Sequence, residues 1–149
     1  MKERLESHIR PKNETGMRMK GLDEAMKVMK AELRAEEMGK VRALVLYGST
    51  ARGDAKETSD IDIHIDLDPY DYGVFKKIVK ILQTKFAGMD FSFSANKISE
   101  GGRIAKLMTL ARNDKPATWK FVYCRSDEEQ ALLNRILLEA QVLRRASQY

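Results

Sequence analysis

A chain of 149 residues, of which 43% are hydrophobic and 33% charged, has the size and composition of one globular domain. Its charged first residues lack the apolar stretch of a signal peptide, and no window approaches the roughly 18 apolar residues of a membrane span, so we expect a cytoplasmic protein without membrane contact. The single cysteine, Cys124, excludes an internal disulfide and is interpreted as a core residue.

The formal net charge of +5 is unevenly distributed along the chain. Residues 41–96 carry 7 basic and 8 acidic side chains, and seven of these acids lie between Asp54 and Asp71, with Lys56 as the only lysine or arginine among them. Crowding of like charges is unfavourable unless cations compensate it. The acidic segment therefore gives a first indication of a metal site, with a solvated acidic loop as the alternative.

The first half of the chain predicts a helix followed by two strands. Residues 1–17 suggest an irregular or partly helical lead-in, and apolar residues at helical spacing from Met19 predict a helix that ends near Gly39. The run Arg42–Tyr47 is short, apolar and stopped by Gly48, as is typical of a buried strand. Residues 60–67 alternate strictly, which predicts a strand with an apolar back and a polar front formed by Asp60, Asp62, His64 and Asp66.

The second half predicts further helices and strands. A helical stripe of apolar residues runs from Phe75 to Phe86, and alternation over residues 89–94 then predicts a third strand. Residues 103–112 suggest a short helix, residues 113–116 a turn, and residues 119–124 a fourth strand. A capping box at residues 126–129 starts a last helix over about residues 127–147, whose wide apolar surface needs more than one partner. The further partner is either the core of the protein itself or another molecule, which could be a second copy of the chain.

The segment Gly48–Gly53 has the features of a phosphate-binding turn. Gly48 at the end of a strand lets the backbone approach a ligand closely, and a helix that starts near Ser49 would aim its free amides at a phosphate. The Ser49 hydroxyl adds a donor, and Arg52 or Lys56 could supply positive charge. Alone, a Gly-Ser turn is weak evidence, so the acidic pair that follows decides its interpretation.

Asp60 and Asp62 are candidate metal ligands. Residues two apart on a strand share one face at about 6 to 7 Å, so both carboxylates can reach a pair of metal ions about 3.5 to 4 Å apart. Asp66 lies about 13 Å beyond Asp62 by the same rise and is excluded from that cluster. His64 is a candidate contact for the base or the acceptor, although a packed or solvated histidine is the more usual outcome.

Gly48-Ser49, ten further residues and then Asp60-Ile61-Asp62 resemble the defining motif of the DNA polymerase β-like nucleotidyltransferase superfamily. The likeness covers about residues 20–125, and the size is similar to that of the minimal members from bacteria and archaea. It implies an α+β fold, with a mixed sheet of about four strands flanked by helices. It also implies two Mg²⁺ ions, a nucleoside triphosphate substrate such as ATP, and a third carboxylate, for which Asp90 is the matching position. Asp90 would complete the metal site and help to deprotonate the attacking hydroxyl.

The resemblance leaves the acceptor open. The smallest members resemble antitoxins that add AMP to a tyrosine of a helical HEPN-domain toxin, and the last helix would suit such a partner. A small-molecule acceptor such as an aminoglycoside is the second choice, and a non-catalytic module that binds a nucleotide or a protein is the alternative of a different class. Nucleic-acid binding ranks last, because no stretch interleaves aromatic and basic residues. We expect one nucleotidyltransferase domain over residues 1–149, with a helical lead-in over residues 1–40.

Overall fold

The computed structural model describes residues 2–95 and 118–147. The elements within these ranges are, in chain order, α1 (Lys2–Glu32), α2 (Ala35–Met38), β1 (Val41–Tyr47), α3 (Gly48–Arg52), β2 (Ile61–Leu67), α4 (Tyr72–Lys85), β3 (Phe91–Ser94), β4 (Trp119–Cys124) and α5 (Asp127–Ser147). The helix predicted over residues 103–112 and the turn predicted over 113–116 lie outside the described residues.

The four strands form one mixed sheet in the order β3-β2-β1-β4. β1 is antiparallel to both of its neighbours, whereas β2 and β3 run parallel. Strand β1 lies inside the sheet and is buried along almost its whole length, which explains why its sequence is a continuous apolar run. The α+β class and the mixed sheet flanked by helices are therefore confirmed.

Helices α1 and α4 cover one face of the sheet. The apolar stripe predicted for the first helix is buried there, as are the alternating isoleucines of β2 and the inward side of α4. Each such side chain contributes about 1.5 to 3 kcal/mol when fully buried. This face is the larger apolar core of the described residues, and it fixes β2 so that its other side chains point to the opposite face.

Helix α5 packs on that second face, over β1 and β4. Its residues Leu133, Leu137 and Ala140 are buried against the small apolar side chains of β1. Trp119 of β4 donates a hydrogen bond from Nε1 to Asn134 Oδ1 of α5 at 2.8 Å. Beside this contact, the same face carries the polar side chains of β2 and β3, because Tyr47 of β1 pairs with Asp62.

The N-terminal segment differs from its prediction. The backbone is helical from Lys2, where an irregular or partly helical lead-in was expected, and α1 ends at Glu32, before a separate short helix. Arg18 and Glu14 form a buried ion pair of 2.9 Å that joins two turns of α1. A single glycine lowers the stability of a helix by only about 1 kcal/mol, so a glycine in this segment does not end the helix. Arg34 interrupts the helix because its backbone is extended, with φ −67° and ψ 157°.

The last helix begins where the capping box predicts. Glu129 donates its backbone N–H to Ser126 Oγ at 3.2 Å, and the Ser126 hydroxyl donates to Glu129 Oε1 at 3.0 Å. A free N-terminal amide of α5 is thus satisfied by the side chain that precedes the helix. The capping signal alone located this boundary.

Two findings bear on the expected environment of the chain. Within residues 2–95 and 118–147, no helix combines the length and apolar character needed to cross a membrane. Cys124 is half-buried against the apolar cluster beneath α5, in agreement with its interpretation as a core residue. Burial raises the pKa of its thiol, which disfavours the reactive thiolate.

Candidate active site

Gly48 and Asp62, which are 14 positions apart, lie against each other at the end of β1. Gly48 has a φ of 72°, a conformation that other residues rarely adopt, and it starts helix α3. A Cβ atom at this position would lie 3.1 Å from Asp62 Cγ and would collide with Oδ2 of the same carboxylate. The glycine therefore provides the space that the Asp62 side chain occupies.

Ser49, Asp60 and Asp62 face one cavity. Its volume is about 520 Å³, and Thr58 and Ser59 line it as well. Asp60 is exposed and Asp62 is half-buried, so one carboxylate is open to solvent and the other is held by the sheet. Ser49, Asp60 and Asp62, which were predicted to bind phosphate and metal, thus lie at one cavity, and Gly48 lies next to them at the turn.

Asp90 lies next to this group along the sheet edge. The backbone N–H of Ile61 donates to Asp90 O at 2.9 Å, and Ile61 pairs with Phe91 at the start of the parallel β2–β3 contact. Asp90 is exposed and is not among the described residues that line the cavity. Its role as third carboxylate stays a prediction.

The residues present fit a magnesium site that the substrate completes. Mg²⁺ prefers oxygen ligands and is usually held by one or two carboxylates together with substrate phosphates. Asp60 and Asp62 supply such carboxylates at one cavity. Across residues 2–95 and 118–147, no three or more His, Cys, Asp or Glu side chains are grouped to hold one ion. Protein ligands alone therefore do not form a closed cage in this part of the chain.

Arg52, predicted to help bind phosphate, contacts an acid of its own loop. Its Nε lies 3.4 Å from Asp54 Oδ2, beyond the C-terminal end of α3. Lys56, the second candidate cation, has an exposed side chain, and its backbone N–H donates to Ser59 Oγ at 2.9 Å. The phosphate-binding role of Arg52 stays a prediction.

The acidic segment is compensated largely by cations from elsewhere in the chain. Four of its seven carboxylates, those of Asp54, Asp66, Asp68 and Asp71, form ion pairs with arginine or lysine side chains. The three other acids include Asp60 and Asp62, which line the cavity. Charge crowding over the whole segment therefore does not single out the cavity, whereas the spaced pair Asp60 and Asp62 lies along it.

His64 and Asp66, farther along β2, are fully buried. The His64 Nδ1 lies 2.6 Å from Ser94 Oγ, which agrees with a packed histidine. Asp66 accepts hydrogen bonds from the guanidinium of Arg42 at 3.0 to 3.3 Å. Asp66 does not line the cavity, and its exclusion from the metal cluster stays a prediction.

Tyr47 borders the candidate site, which the sequence did not indicate. Its phenol lies beside Asp62, hydrogen-bonds to Ser92 and Ser94, and closes the polar row across β1, β2 and β3. Burial, and secondarily the negative charge of Asp62, raise the pKa of the Tyr47 phenol, while the two serine hydrogen bonds oppose that rise. The only sequence signal for Tyr47 was its position directly before Gly48.

Arg18 of α1 is the second residue missed. Its buried guanidinium reaches Thr50 of α3 and the carbonyl groups of the loop that leads to Asp60. The sequence pattern predicted an irregular or partly helical lead-in over residues 1–17 and a helix from Met19, but it gave no indication that Arg18 reaches the site. Contacts over more than 30 positions leave no local signal.

The family model described as a nucleotidyltransferase domain matches residues 28–142, and the chain belongs to this family. Two relatives are proteins of Methanocaldococcus jannaschii that are each named as a putative protein adenylyltransferase. One is 32% identical over 66 residues, which is 44% of this chain and 66% of that protein. The other is 44% identical over 50 residues, which is 33% of this chain and 58% of that protein. The chain matches less than two thirds of the length of either relative.

Solved structures share the fold at low sequence identity. A chain from a toxin–antitoxin crystal structure with AMP-PNP aligns over 85% of this chain and 92% of its own length, with a TM-score of 0.53 and 14% identity. A chain from a mutant of the toxin–antitoxin MntA-HpeT covers the same shares with a TM-score of 0.54 and 13% identity. At this identity the likeness establishes the arrangement of helices and strands.

Proposed function

We propose that the protein is a metal-dependent nucleotidyltransferase that moves AMP from ATP to an acceptor hydroxyl and releases pyrophosphate. The observation that carries the proposal is the contact of Gly48 with Asp62, which brings Ser49, Asp60 and Asp62 to one cavity. The family match and the names of the two relatives support this reaction. We further propose that residues 1–149 act as one nucleotidyltransferase domain.

Each side of the cavity has its own role in this reaction. Ser49 and the backbone amides at the start of α3 bind the triphosphate, with Arg52 as a further cation. Asp60 and Asp62 hold two Mg²⁺ ions, with Asp90 as the additional ligand. Bound Mg²⁺ neutralises phosphate charge and lowers the pKa of a coordinated hydroxyl. Positioning and charge stabilisation supply most of the rate in such a transfer.

The reaction exchanges one ester bond for another. The acceptor oxygen forms a bond to the α-phosphorus, and the bond from that phosphorus to the bridging oxygen of pyrophosphate breaks. The hydroxyl proton passes to a general base, for which we propose Asp90, the exposed carboxylate beside Ile61. The base must come within hydrogen-bond reach of the acceptor hydroxyl.

A protein tyrosine is the acceptor we favour. The two relatives are named as acting on proteins, and the solved structures with the same fold come from toxin–antitoxin pairs, one of them with an ATP analogue. We propose a helical HEPN-type toxin as the partner. Helix α5 offers a surface for it, since its outer side exposes Leu138 and Val142.

A non-catalytic module of the same fold is the second candidate. The exposed position of Asp90, outside the described lining of the cavity, favours it. The two candidates differ in what Asp90→Asn does. In an enzyme it lowers turnover far more than ATP affinity, whereas a binding module keeps its ATP affinity and has no turnover to lose. Equal losses in turnover and affinity would contradict the role of Asp90 as a base.

The test is transfer of label from [α-³²P]ATP with Mg²⁺ to a helical toxin partner, with pyrophosphate release measured in parallel. Asp60→Asn and Asp62→Asn should each reduce transfer by at least about 100-fold, because each removes a charge from the site. Asp71→Asn is the matched control, since Asp71 belongs to the same acidic segment but pairs with Lys40. Nucleotide binding without label transfer, for every nucleotide and acceptor tried, would support the non-catalytic module.

A further inference from the structure

We propose that Arg18 is a positioning residue of the candidate active site: it fixes the backbone of residues 56–59 and thereby the position of Asp60. This inference rests on the proposed function, in which Asp60 is a metal ligand. Arg18 itself lies beneath the cavity and would touch neither metal nor nucleotide.

The guanidinium of Arg18 joins three segments of the chain. Its Nη1 donates to Thr50 Oγ1 of α3 at 3.0 Å. Its Nη2 donates to Lys56 O at 2.8 Å and to Ser59 O at 2.9 Å. Its Nε donates to Glu14 Oε1 at 2.9 Å within α1. Every nitrogen of the group therefore has a partner.

These partners are the immediate neighbours of the site residues. Thr50 follows Ser49, and Ser59 precedes Asp60, so one rigid planar group sets two walls of the cavity relative to each other. The residues between α3 and β2 form turns and bends without regular structure. This segment lacks the strand-to-strand hydrogen bonds that position a β-strand. The hydrogen bonds from Arg18 to Lys56 O and Ser59 O position it instead.

The burial of Arg18 makes this arrangement specific. Its side chain is 1% exposed, and a buried cation is unfavourable unless it is paired and hydrogen-bonded. Glu14 supplies the opposite charge, and the loop carbonyls supply the remaining acceptors. A loop that moved away would leave buried donors unsatisfied, so the loop conformation is coupled to the pairing of Arg18.

A role in stability alone would have a different signature. Any large buried residue of α1 contributes to stability, so a lower melting temperature in an Arg18 variant would not separate the two roles. Leu22 provides the comparison, because it lies one turn further along the same helix, is buried and packs in the apolar core. Leu22→Ala should loosen α1 without removing a hydrogen bond to the loop.

The first measurement is hydrogen exchange of the metal-free protein over residues 54–60. Arg18→Lys keeps the charge but cannot form the planar fork, so exchange of the Ser59 amide, which donates to Lys56 O, should accelerate at least about tenfold. Thr50→Val, which removes a single acceptor, should give a smaller acceleration. Leu22→Ala, at a comparable loss in melting temperature, should leave exchange in this loop unchanged.

The second measurement is transfer kinetics of the same variants. Arg18→Lys should lower kcat by about 10- to 100-fold, as expected when a reacting group is displaced by about an ångström, with a smaller change in the KM for ATP. Leu22→Ala should keep kcat within about threefold of the wild type, because the transfer step depends on the position of the loop and not on overall stability.

Native kcat and native exchange in Arg18→Lys, or equal losses in Leu22→Ala, would overturn the inference. A wild type that transfers no label would refute the proposed function instead. The exchange experiment would then still decide whether Arg18 holds the loop, because it does not require turnover.

Discussion

At the scale of single residues, the candidate site depends on the missing side chain of Gly48. The carboxylate of Asp62 fills the space where a Cβ atom would stand, and the positive φ of 72° turns the chain into α3 at the same point. The turn and Asp62, the proposed metal ligand, are therefore coupled, although the sequence presents them as two separate parts of a motif.

Gly48→Ala should consequently disturb both the turn and the position of Asp62, the proposed metal ligand. The positive φ should cost about 1 to 2 kcal/mol of stability, and displacement of Asp62 should lower label transfer by about 100-fold. Gly53→Ala is the matched control, since Gly53 has a φ of 86° and open space around its Cβ position. It should show the stability loss in urea denaturation with near-normal transfer. Similar transfer rates in the two variants would argue against the contact.

At the scale of elements, ion pairs between neighbouring segments engage acids of the acidic segment that do not line the cavity. Arg42 of β1 binds Asp66 of β2, while Lys40, just before β1, binds Asp71, just before α4. Arg125, between β4 and α5, donates to Glu129 and to the carbonyl of Asp68. All three cations lie outside the acidic segment in the sequence, so the segment alone does not show which of its acids are paired.

Asp66→Asn should therefore cost far more stability than Asp71→Asn. Asp66 is fully buried and is the nearer of the two carboxylates paired with Arg42, since Asp68 Oδ2 lies 3.8 Å away, so its loss should cost about 3 kcal/mol. Asp71 and Lys40 are each 34% exposed, and asparagine also caps helices well, so that change should cost less than about 1 kcal/mol. Urea denaturation at neutral pH measures both values. Equal costs would show that the Arg42–Asp66 pair is not a buried support of the sheet.

The ion pair between α2 and α4 predicts a pH dependence. Glu37 has a side chain that is 7% exposed and accepts from Lys77 Nζ at 2.6 Å and from Arg34 N at 3.0 Å. Mainly the Lys77 hydrogen bond lowers the pKa of Glu37 to about 2, from an ordinary value of 4.5. A lowered folded-state pKa means that the carboxylate stabilises the fold above pH 4.5 and loses this effect as the pH falls towards 2.

The urea midpoint of Glu37→Gln should accordingly lie below that of the wild type at pH 7, and the gap should narrow between pH 4.5 and about 2. Glu36→Gln is the control, because the Glu36 side chain is 68% exposed in its pair with Arg34. It should move the midpoint little at any pH. A constant gap for Glu37→Gln would contradict the lowered pKa.

At the scale of the whole molecule, local patterns predicted the elements and missed what joins them. Alternation located β2 and β3, an apolar run located β1, β-branched and aromatic residues located β4, and the capping box located α5, because each signal depends on residues within a few positions. The pairing of β2 with β3, the contact of Gly48 with Asp62 and the reach of Arg18 across to Ser59 join residues far apart in the chain. Such contacts are set by packing, for which a single sequence carries no periodic signal.

The apolar surface of α5 is the part of the molecule whose partner the sequence left open. Its inner side packs on β1 and β4, which accounts for one of the two partners that a wide apolar surface requires. Its outer side exposes Leu138 by 46% and Val142 by 64%, one helical turn apart. We expect this outer side to contact the acceptor protein.

Leu138→Lys and Val142→Lys should each weaken binding of a helical toxin partner at least about tenfold, since each places a charge in an apolar contact. The melting temperature and label transfer to a small hydroxyl acceptor should remain near wild type. Tyr70→Lys is the control, because Tyr70 is 52% exposed outside α5. If the α5 variants instead change the oligomeric state, measured by light scattering, while toxin binding persists, the surface joins two copies of this chain. Unchanged binding and unchanged mass would contradict both assignments, because an apolar contact cannot accept a lysine without loss.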